Sequence, residues 1–392
     1  MGIFDEATLF LISLIDSNEN WLYSVFFIML SPKTKRNIYR ILPFGIIWLL
    51  FSIVYVQLEK GILGNLGYYP STGNPYNFRQ NILVTPFSAL ITGLLIGTVE
   101  VVYLNKLFIQ KSFTRKIVYK SLIYLATIIG FILISSVISN ATDVGTGIFS
   151  KEVWDNVWKF FWDYAFFSVC FFMASVILVS QFYAEVSENI GHGILHNFFT
   201  GRYHSPTEEV RIFMFLDMKS SSSIAEKIGH VRYFEILREY YSDLSEPIIK
   251  HSGEVYQYVG DEIIVTWRPA TGLKNNRCIQ CFLEMKAAIQ RQSDKYNKKF
   301  GYLPEFKAGF HLGKVTTGEI GDIKKEIIFT GDTLNTTARI QGLCNIYNTD
   351  ILISADLMKN LTLDPSIKIK SLGENELKGK EEKIELFTIS GT

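Results

Sequence analysis

Two aspartates, Asp217 and Asp261, each stand where an apolar, strand-like run meets a turn. Arg211 to Leu216 leads into Asp217, and Asp261 sits in Tyr258-Val-Gly-Asp-Glu262 between two β-prone segments. If those strands neighbour each other, the carboxylates converge, and converging carboxylates repel until they share a proton or hold a cation. A cation held that way can act on phosphates. Asp is also a common turn residue, so the pair alone fits two turn caps equally well.

Three other groups could contribute. Met218-Lys219-Ser220-Ser221-Ser222-Ser223 follows Asp217. Free N–H groups at a helix start, with serine hydroxyls, suit phosphate oxygens, though plain helix capping suits them too. Asn335 and Arg339, in Gly331-Asp-Thr-Leu-Asn-Thr-Thr-Ala-Arg339, share one helical face. An arginine there can stabilise charge on a phosphoryl oxygen and an amide can orient a ribose; a surface Asn and Arg would look the same. Lys378 and Lys380 flank a glycine, fit either to reach a terminal phosphate or to form a solvated basic turn.

Positioning these groups takes a sheet. Strand patterns fall at 211–216, 254–258, 262–267, 306–312, 315–320, 326–329, 350–353, 367–371 and 384–389, and helical patterns at 222–251, 272–299 and 333–344. In the first of these helices Phe234, Leu237, Tyr241, Leu244 and Ile248 line one apolar face. Hairpins with packed helices predict an α+β domain with one sheet face covered. Neither a Gly-x-Gly-x-x-Gly after a strand nor a Walker motif is present.

The N-terminal half is different. Of the 392 residues 48% are hydrophobic, and four apolar runs, 41–57, 82–104, 117–139 and 160–182, approach the roughly 20 residues that cross a bilayer. Lys33, Lys35, Arg36 and Arg40 precede the first run, and Lys106, Lys111, Arg115, Lys116 and Lys120 lie around the connection between the second and third. By the positive-inside rule the N-terminus, that connection and everything after Phe182 are cytoplasmic. Asp163 near the start of the fourth run reads as interfacial, and the short loops exclude a large extracellular domain. Residues 1–40 read as an interfacial segment without signal-peptide features, 41–182 as the membrane domain, 183–209 as a helical linker and 210–392 as one further domain.

A formal net charge of +1 gives no electrostatic case for nucleic acid. His192 and His196 have metal-ligand spacing but no third ligand nearby, and solvent-facing or packing histidines fit as well. Cys278 and Cys281 form a Cys-x-x-Cys without a second ligand pair, which reads as reduced thiols in a cytoplasmic domain.

In this order, the motifs of residues 210–389 resemble the catalytic domain of the class III nucleotidyl cyclases. Phe-Leu-Asp217 and Val-Gly-Asp261 are similar to the family's two metal-binding aspartates, and Gly309-Phe-His-Leu-Gly313-Lys-Val-Thr-Thr-Gly318-Glu-Ile-Gly321 to its glycine-spaced hairpin. Asn335 and Arg339 match its ribose-orienting and transition-state residues, and Leu377-Lys-Gly-Lys380 its phosphate-binding turn, with Lys380 favoured over Lys378. The resemblance implies a ferredoxin-like α+β fold, a mostly antiparallel sheet with helices packed on it. It also implies two divalent cations, Mg²⁺ or Mn²⁺, at Asp217, Met218 and Asp261, with phosphates against Met218 to Ser222. A ribose 3′-hydroxyl would attack the α-phosphorus and pyrophosphate would leave. A homodimer is implied, because the family's site joins the aspartates of one subunit to the Asn, Arg and Lys of the other.

Base selection departs from the family pattern. Gln257 stands where adenylyl cyclases carry a lysine, and Ile328 where its acidic or threonine partner belongs. A glutamine amide can pair with either purine. By analogy with membrane-anchored members the expectation is a multi-pass adenylyl cyclase of the plasma or inner membrane, in contact with lipid and acting on ATP. A guanylyl or dual-specificity cyclase, or a nucleotide-binding sensor without turnover, is the alternative.

Overall fold

The computed structural model describes residues 30–70, 75–108, 111–191, 195, 197, 200–380 and 383–390. Residues 1–29, and with them most of the expected interfacial segment, lie outside the described residues, as do His192 and His196. The chain divides into two compact units, one spanning Thr34–His196 and the other containing Asn197–Thr392.

The first unit is helical. Helix α1 spans Pro32–Leu63 and α2 Phe78–Val99, the latter continuing through a π-turn at Glu100–Leu104. Then come α3 (Phe113–Val144), α4 (Lys151–Phe161) and α5 (Tyr164–Ile190). All but α4 are long and apolar enough to cross a membrane. The helix begins at Pro32, so residues expected to be interfacial belong to the first turns of α1. The fourth apolar run also differs from expectation: its first residues belong to α4, and Asp163 caps α5 by accepting the Ala165 N–H at 2.7 Å. A carboxylate at a helix N-terminus satisfies orphan N–H groups and the dipole, which accounts for its place there.

This unit is turned inside out relative to a water-soluble bundle. Large apolar side chains such as Leu50, Phe87, Phe131 and Phe171 are exposed, while Glu100, Lys120 and Glu185 are buried. The Lys120 ammonium donates to Glu100 Oε1 at 2.6 Å, to Asn105 Oδ1 at 2.6 Å and to Glu185 Oε1 at 2.8 Å, so one side chain ties α2, α3 and α5 together. Tyr124 and Gln181 donate to the other Glu100 oxygen at 2.9 and 3.2 Å. Charges out of water persist only when paired and hydrogen-bonded in this way. Glu100 opens the π-turn, where the local shift in helical register changes which side chains face the bundle.

The second unit is built on one eight-stranded sheet in the order β2-β3-β1-β4-β6-β8-β7, with β5 paired to β4 outside that path. The strands are β1 (Thr207–Met218), β2 (Glu254–Val259), β3 (Glu262–Trp267), β4 (Phe306–Ile320), β5 (Glu326–Thr330), β6 (Ile351–Ser354), β7 (Lys368–Asn375) and β8 (Ile384–Ser390). The β4–β6 pair is parallel and the other ladders are antiparallel. Between them lie α6 (Ser221–Ile228), α7 (His230–Lys250), α8 (Arg277–Arg291), α9 (Ser293–Phe300) and α10 (Asp332–Gly342).

Side-chain alternation sorts the sheet into two faces. Ile212, Met214, Leu216 and Met218 join Ile263, Val265, Ala308 and Phe310 in the main core under α7 and α8. Phe213, Phe215, Ile264 and Val315 form a smaller cluster on the other face with Leu334 of α10. Two expected helices are split. Gly229, at φ +82°, separates α6 from α7. The run expected over 272–299 breaks where Asn275 and Asn276 take left-handed backbone. Conversely, the two strands expected from 306 to 320 are one 15-residue strand, β4. Cys278 and Cys281 are buried free thiols on α8.

Removing the shared cation should expose the importance of the polar cluster. Lys120→Met leaves Glu100 and Glu185 buried without their common partner, and the detergent-purified protein is expected to lose about 3–5 kcal/mol of unfolding free energy. Adding Glu100→Gln and Glu185→Gln should recover most of that loss in the same denaturation assay.

Candidate active site

The site begins with a row across three strands. Asp217 of β1 lies opposite Glu262 of β3 and Lys307 of β4, all on the sheet face that carries Phe213 and Phe215. Asp261 occupies the β2–β3 turn beside Gly260, whose φ of +62° suits a residue without Cβ. Tyr241 of α7 holds that turn from below. Its hydroxyl lies 2.9 Å from the Gly260 carbonyl and 3.3 Å from that of Glu262, the residues on either side of Asp261.

The two carboxylates lie near enough for Asp261 to act on Asp217. Burial, the hydrogen bond to Asp261 and its charge raise the Asp217 carboxyl above its ordinary range, with Lys307 opposing them. Lys307 Nζ sits 3.4 Å from Asp217 Oδ2. Burial, then the charges of Asp217 and Asp261, push Glu262 up to about 7. The site therefore concentrates more negative charge than its own lysine offsets. Among the described residues no group of three or more His, Cys, Asp or Glu side chains forms a complete metal cage. Two carboxylates with open positions is the donor set of a Mg²⁺-type site that draws its remaining ligands from backbone, water and phosphates, so the acid pair fits the implied cations.

Helix α10 lies close against β4 at two glycines. A Cβ on Gly309 would come within 2.4 Å of the Gln341 backbone N, and one on Gly313 within 2.4 Å of Thr333 Oγ1. Gly309 and Gly313 are an even number of residues apart and so share a strand face. The close approach carries Gln341 Nε2 to 3.3 Å from Asp217 Oδ2. Arg339, two residues earlier, is rotated by about 200° around the helix and leaves the acids. It packs instead beside the Leu377–Lys380 turn, where a Cβ on Gly379 would touch Nη2 at 3.4 Å. Arg339 Nη1 is buried without a hydrogen-bond partner. Lys380 in the same turn pairs with Asp332 of α10 at 2.7 Å, and Asn335 is exposed one turn before Arg339.

The structure thus brings the expected residues into two groups, Asp217 with Asp261, and Arg339 with Lys380 and its helix partner Asn335. Met218 buries its side chain in the main core, and Lys219 pairs with Asp350 at 2.5 Å, so the charge of Lys219 is taken up within the chain. Ser220 has left-handed backbone, φ 56°, ahead of Ser221 and Ser222 at the start of α6. Lys378 and Gln257 are exposed, and Ile328 is half-buried on β5 opposite Gly318. Lys307, Gln341 and Tyr241 were not singled out from the sequence. The register of β4 with β1 carried the signal for Lys307, and Tyr241 was legible only as a core position.

The family model for the adenylate and guanylate cyclase catalytic domain matches residues 202–391. Those residues are therefore similar to the catalytic domains of the class III nucleotidyl cyclases. Adenylate cyclase 2 of Rhizobium meliloti (strain 1021) is 34% identical over 209 residues, 53% of this chain and 58% of that protein. The adenylate cyclase of Anabaena cylindrica is 25% identical over 186 residues, 45% of this chain and 36% of that one. The chain thus spans little more than half the length of the first relative and about a third of the second. Among solved structures, a bacterial light-regulated adenylyl cyclase is 17% identical with a TM-score of 0.49, covering 58% of this chain and 65% of its own.

The packing of this domain predicts which glycine matters. Gly309→Ala should cost about 1–3 kcal/mol in equilibrium unfolding, because α10 must lift from β4. Gly318→Ala, whose Cβ would find its nearest neighbour at 3.4 Å, should change stability far less.

Proposed function

We propose that the protein is a membrane-bound adenylyl cyclase that converts ATP to 3′,5′-cyclic AMP and pyrophosphate in a site shared by two copies of the chain. The observation that carries this reading is that pairing of β1 and β2 with β3 brings Asp217 and the Asp261 turn together in a stretch that matches the cyclase catalytic-domain model. Asp217 and Asp261 would hold two divalent cations, Mg²⁺ or Mn²⁺, with help from the Met218 backbone. When bound, such cations neutralise phosphate charge and favour ionisation of the ribose 3′-hydroxyl.

The chain's own residues supply positioning and charge. Tyr241 and Gln341 fix the two acids, Asn335 orients the ribose and Lys380 meets the leaving phosphates. The Arg339 guanidinium, with one buried N–H unpaired, is suited to the charge that builds on the transferring phosphorus. Ser220, Ser221 and Ser222 lie where hydroxyl and N–H donors can meet phosphate oxygens. Because α10 turns Arg339 away from Asp217 of its own chain, a twofold-related copy is the natural source of the Arg339 that completes each site. The four long apolar helices would place the chain in the plasma or inner membrane, with the cyclase domain on the cytoplasmic side as charge placement argues.

Purified protein with Mn²⁺ or Mg²⁺ should form cyclic AMP from ATP faster than cyclic GMP from GTP; the reverse order would make it a guanylyl cyclase. No cyclic product from either nucleotide would leave a binding module. Asp217→Ala or Asp261→Ala should abolish turnover, and Arg339→Ala should lower kcat by about 10²-fold or more. Mixing Asp217→Ala with Arg339→Ala protein should restore activity through one intact site per heterodimer. Failure of that mixture to recover would count against the shared site.

A further inference from the structure

Gln257 and Ile328 occupy the positions at which the family selects its purine, yet neither side chain can choose alone. A glutamine amide offers a donor and an acceptor, and isoleucine offers no polar atom. Selection must then depend on where the two residues are held. They lie on β2 and β5, strands that share no ladder, since β2 pairs with β3 and β5 with β4.

Their sequence neighbours make the connection. The β2–β3 register shifts between Val255, opposite Val265, and Gln257, opposite Ile264, so Tyr256 is the extra residue of a β-bulge. A bulge bends its strand and re-aims the side chain, and such irregularities gather beside functional sites. Tyr256 meets Phe329 edge to face, with ring centroids 4.9 Å apart and planes at 74°. Its hydroxyl oxygen accepts the Phe329 backbone N–H at 3.3 Å. Phe329 follows Ile328 directly, as Tyr256 directly precedes Gln257.

The contact is anchored from β1. Phe213 packs edge to face on Phe329 at 5.5 Å, and the Arg211 guanidinium lies 5.1 Å from the centre of the same ring. Arg211 is itself buried and donates to Glu254 of β2 at 2.9 Å. Arg211 thereby touches both strands that carry the selecting positions, and Phe213 adds a second β1 contact to β5.

We propose that Tyr256 and Phe329 are specificity-positioning residues, a clasp that sets the spacing between Gln257 and Ile328 and so favours adenine over guanine. The proposal rests on the reading of Gln257 and Ile328 as the base-facing positions. Guanine carries two exocyclic polar groups where adenine carries one. An apolar side chain at Ile328, held at a fixed distance from Gln257, leaves the additional group without a protein partner. Loosening the clasp lets that group find another partner and lowers the penalty.

The test uses the full-length protein and non-cyclisable α,β-methylene analogues of ATP and GTP as equilibrium ligands, with KM values for ATP and GTP alongside. Tyr256→Phe keeps the ring and removes only the accepting oxygen. It should lower the ATP-over-GTP affinity ratio by about threefold to tenfold, the range expected for one hydrogen bond. Phe329→Leu should lower it at least as far. Equal weakening for both nucleotides, or an unchanged ratio, in both variants overturns the proposal. Gln257→Ala separates the two levels. If it leaves the ratio unchanged, the base-facing assignment fails and the clasp with it. If it alone changes the ratio, the assignment stands and the clasp falls.

Discussion

The sheet domain depends on how closely α10 can lie on β4. Gly309 and Gly313 remove the two Cβ atoms that would hold the helix off the sheet, each otherwise 2.4 Å from an atom of α10. That proximity fixes the rotation of the helix. With Gln341 turned inward to Asp217, helical geometry carries Arg339 outward to the Gly379 turn and leaves Asn335 exposed on the same side. Asp217 and the Arg339 group are thus held apart within the chain by a single helix, and the separation follows from packing.

Electrostatics in the acid half rests on alternation along the strands. Asp217, Glu262 and Lys307 fall in one row because β1, β3 and β4 pair in register, and each is on the face away from the main core. The other face of the same strands is apolar, so the row borders on low-dielectric interior and its charges are screened weakly. Lys307 compensates part of the charge of the pair.

Much of this was legible in the residues themselves. The apolar runs gave the four long helices, and the order of Asp217, Asp261, Asn335, Arg339 and Lys380 along the strand and helix pattern pointed to the family. Alternation from Ile212 to Met218 placed Asp217 at the end of a strand. Local chemistry that competes with periodicity was harder to read, as at Gly229, at Asn275 and Asn276, and at Asp163. Long-range pairings were hidden entirely. Nothing adjacent to Gln341 marks it as a partner of Asp217, and the Tyr256 bulge exists only relative to β3. Lys120 counted in the sequence only as one of the basic residues around the second-to-third connection, and nothing there marked Glu100 and Glu185 as its partners.

The lysine shared by three helices also imposes an order on assembly. Lys120 follows Glu100 by 20 residues and precedes Glu185 by 65. During synthesis, therefore, the α2–α3 hairpin can neutralise its own lysine as soon as α3 is made. The carboxylate of α5 has no such partner within its own helix. The hairpin exists first as a finished, self-compensated unit, and α5 is the piece that must find it. The last helix brings in Glu185, which meets Lys120 at 2.8 Å and Lys116 at 3.5 Å, and so gives the bundle one register at which its final component can stop.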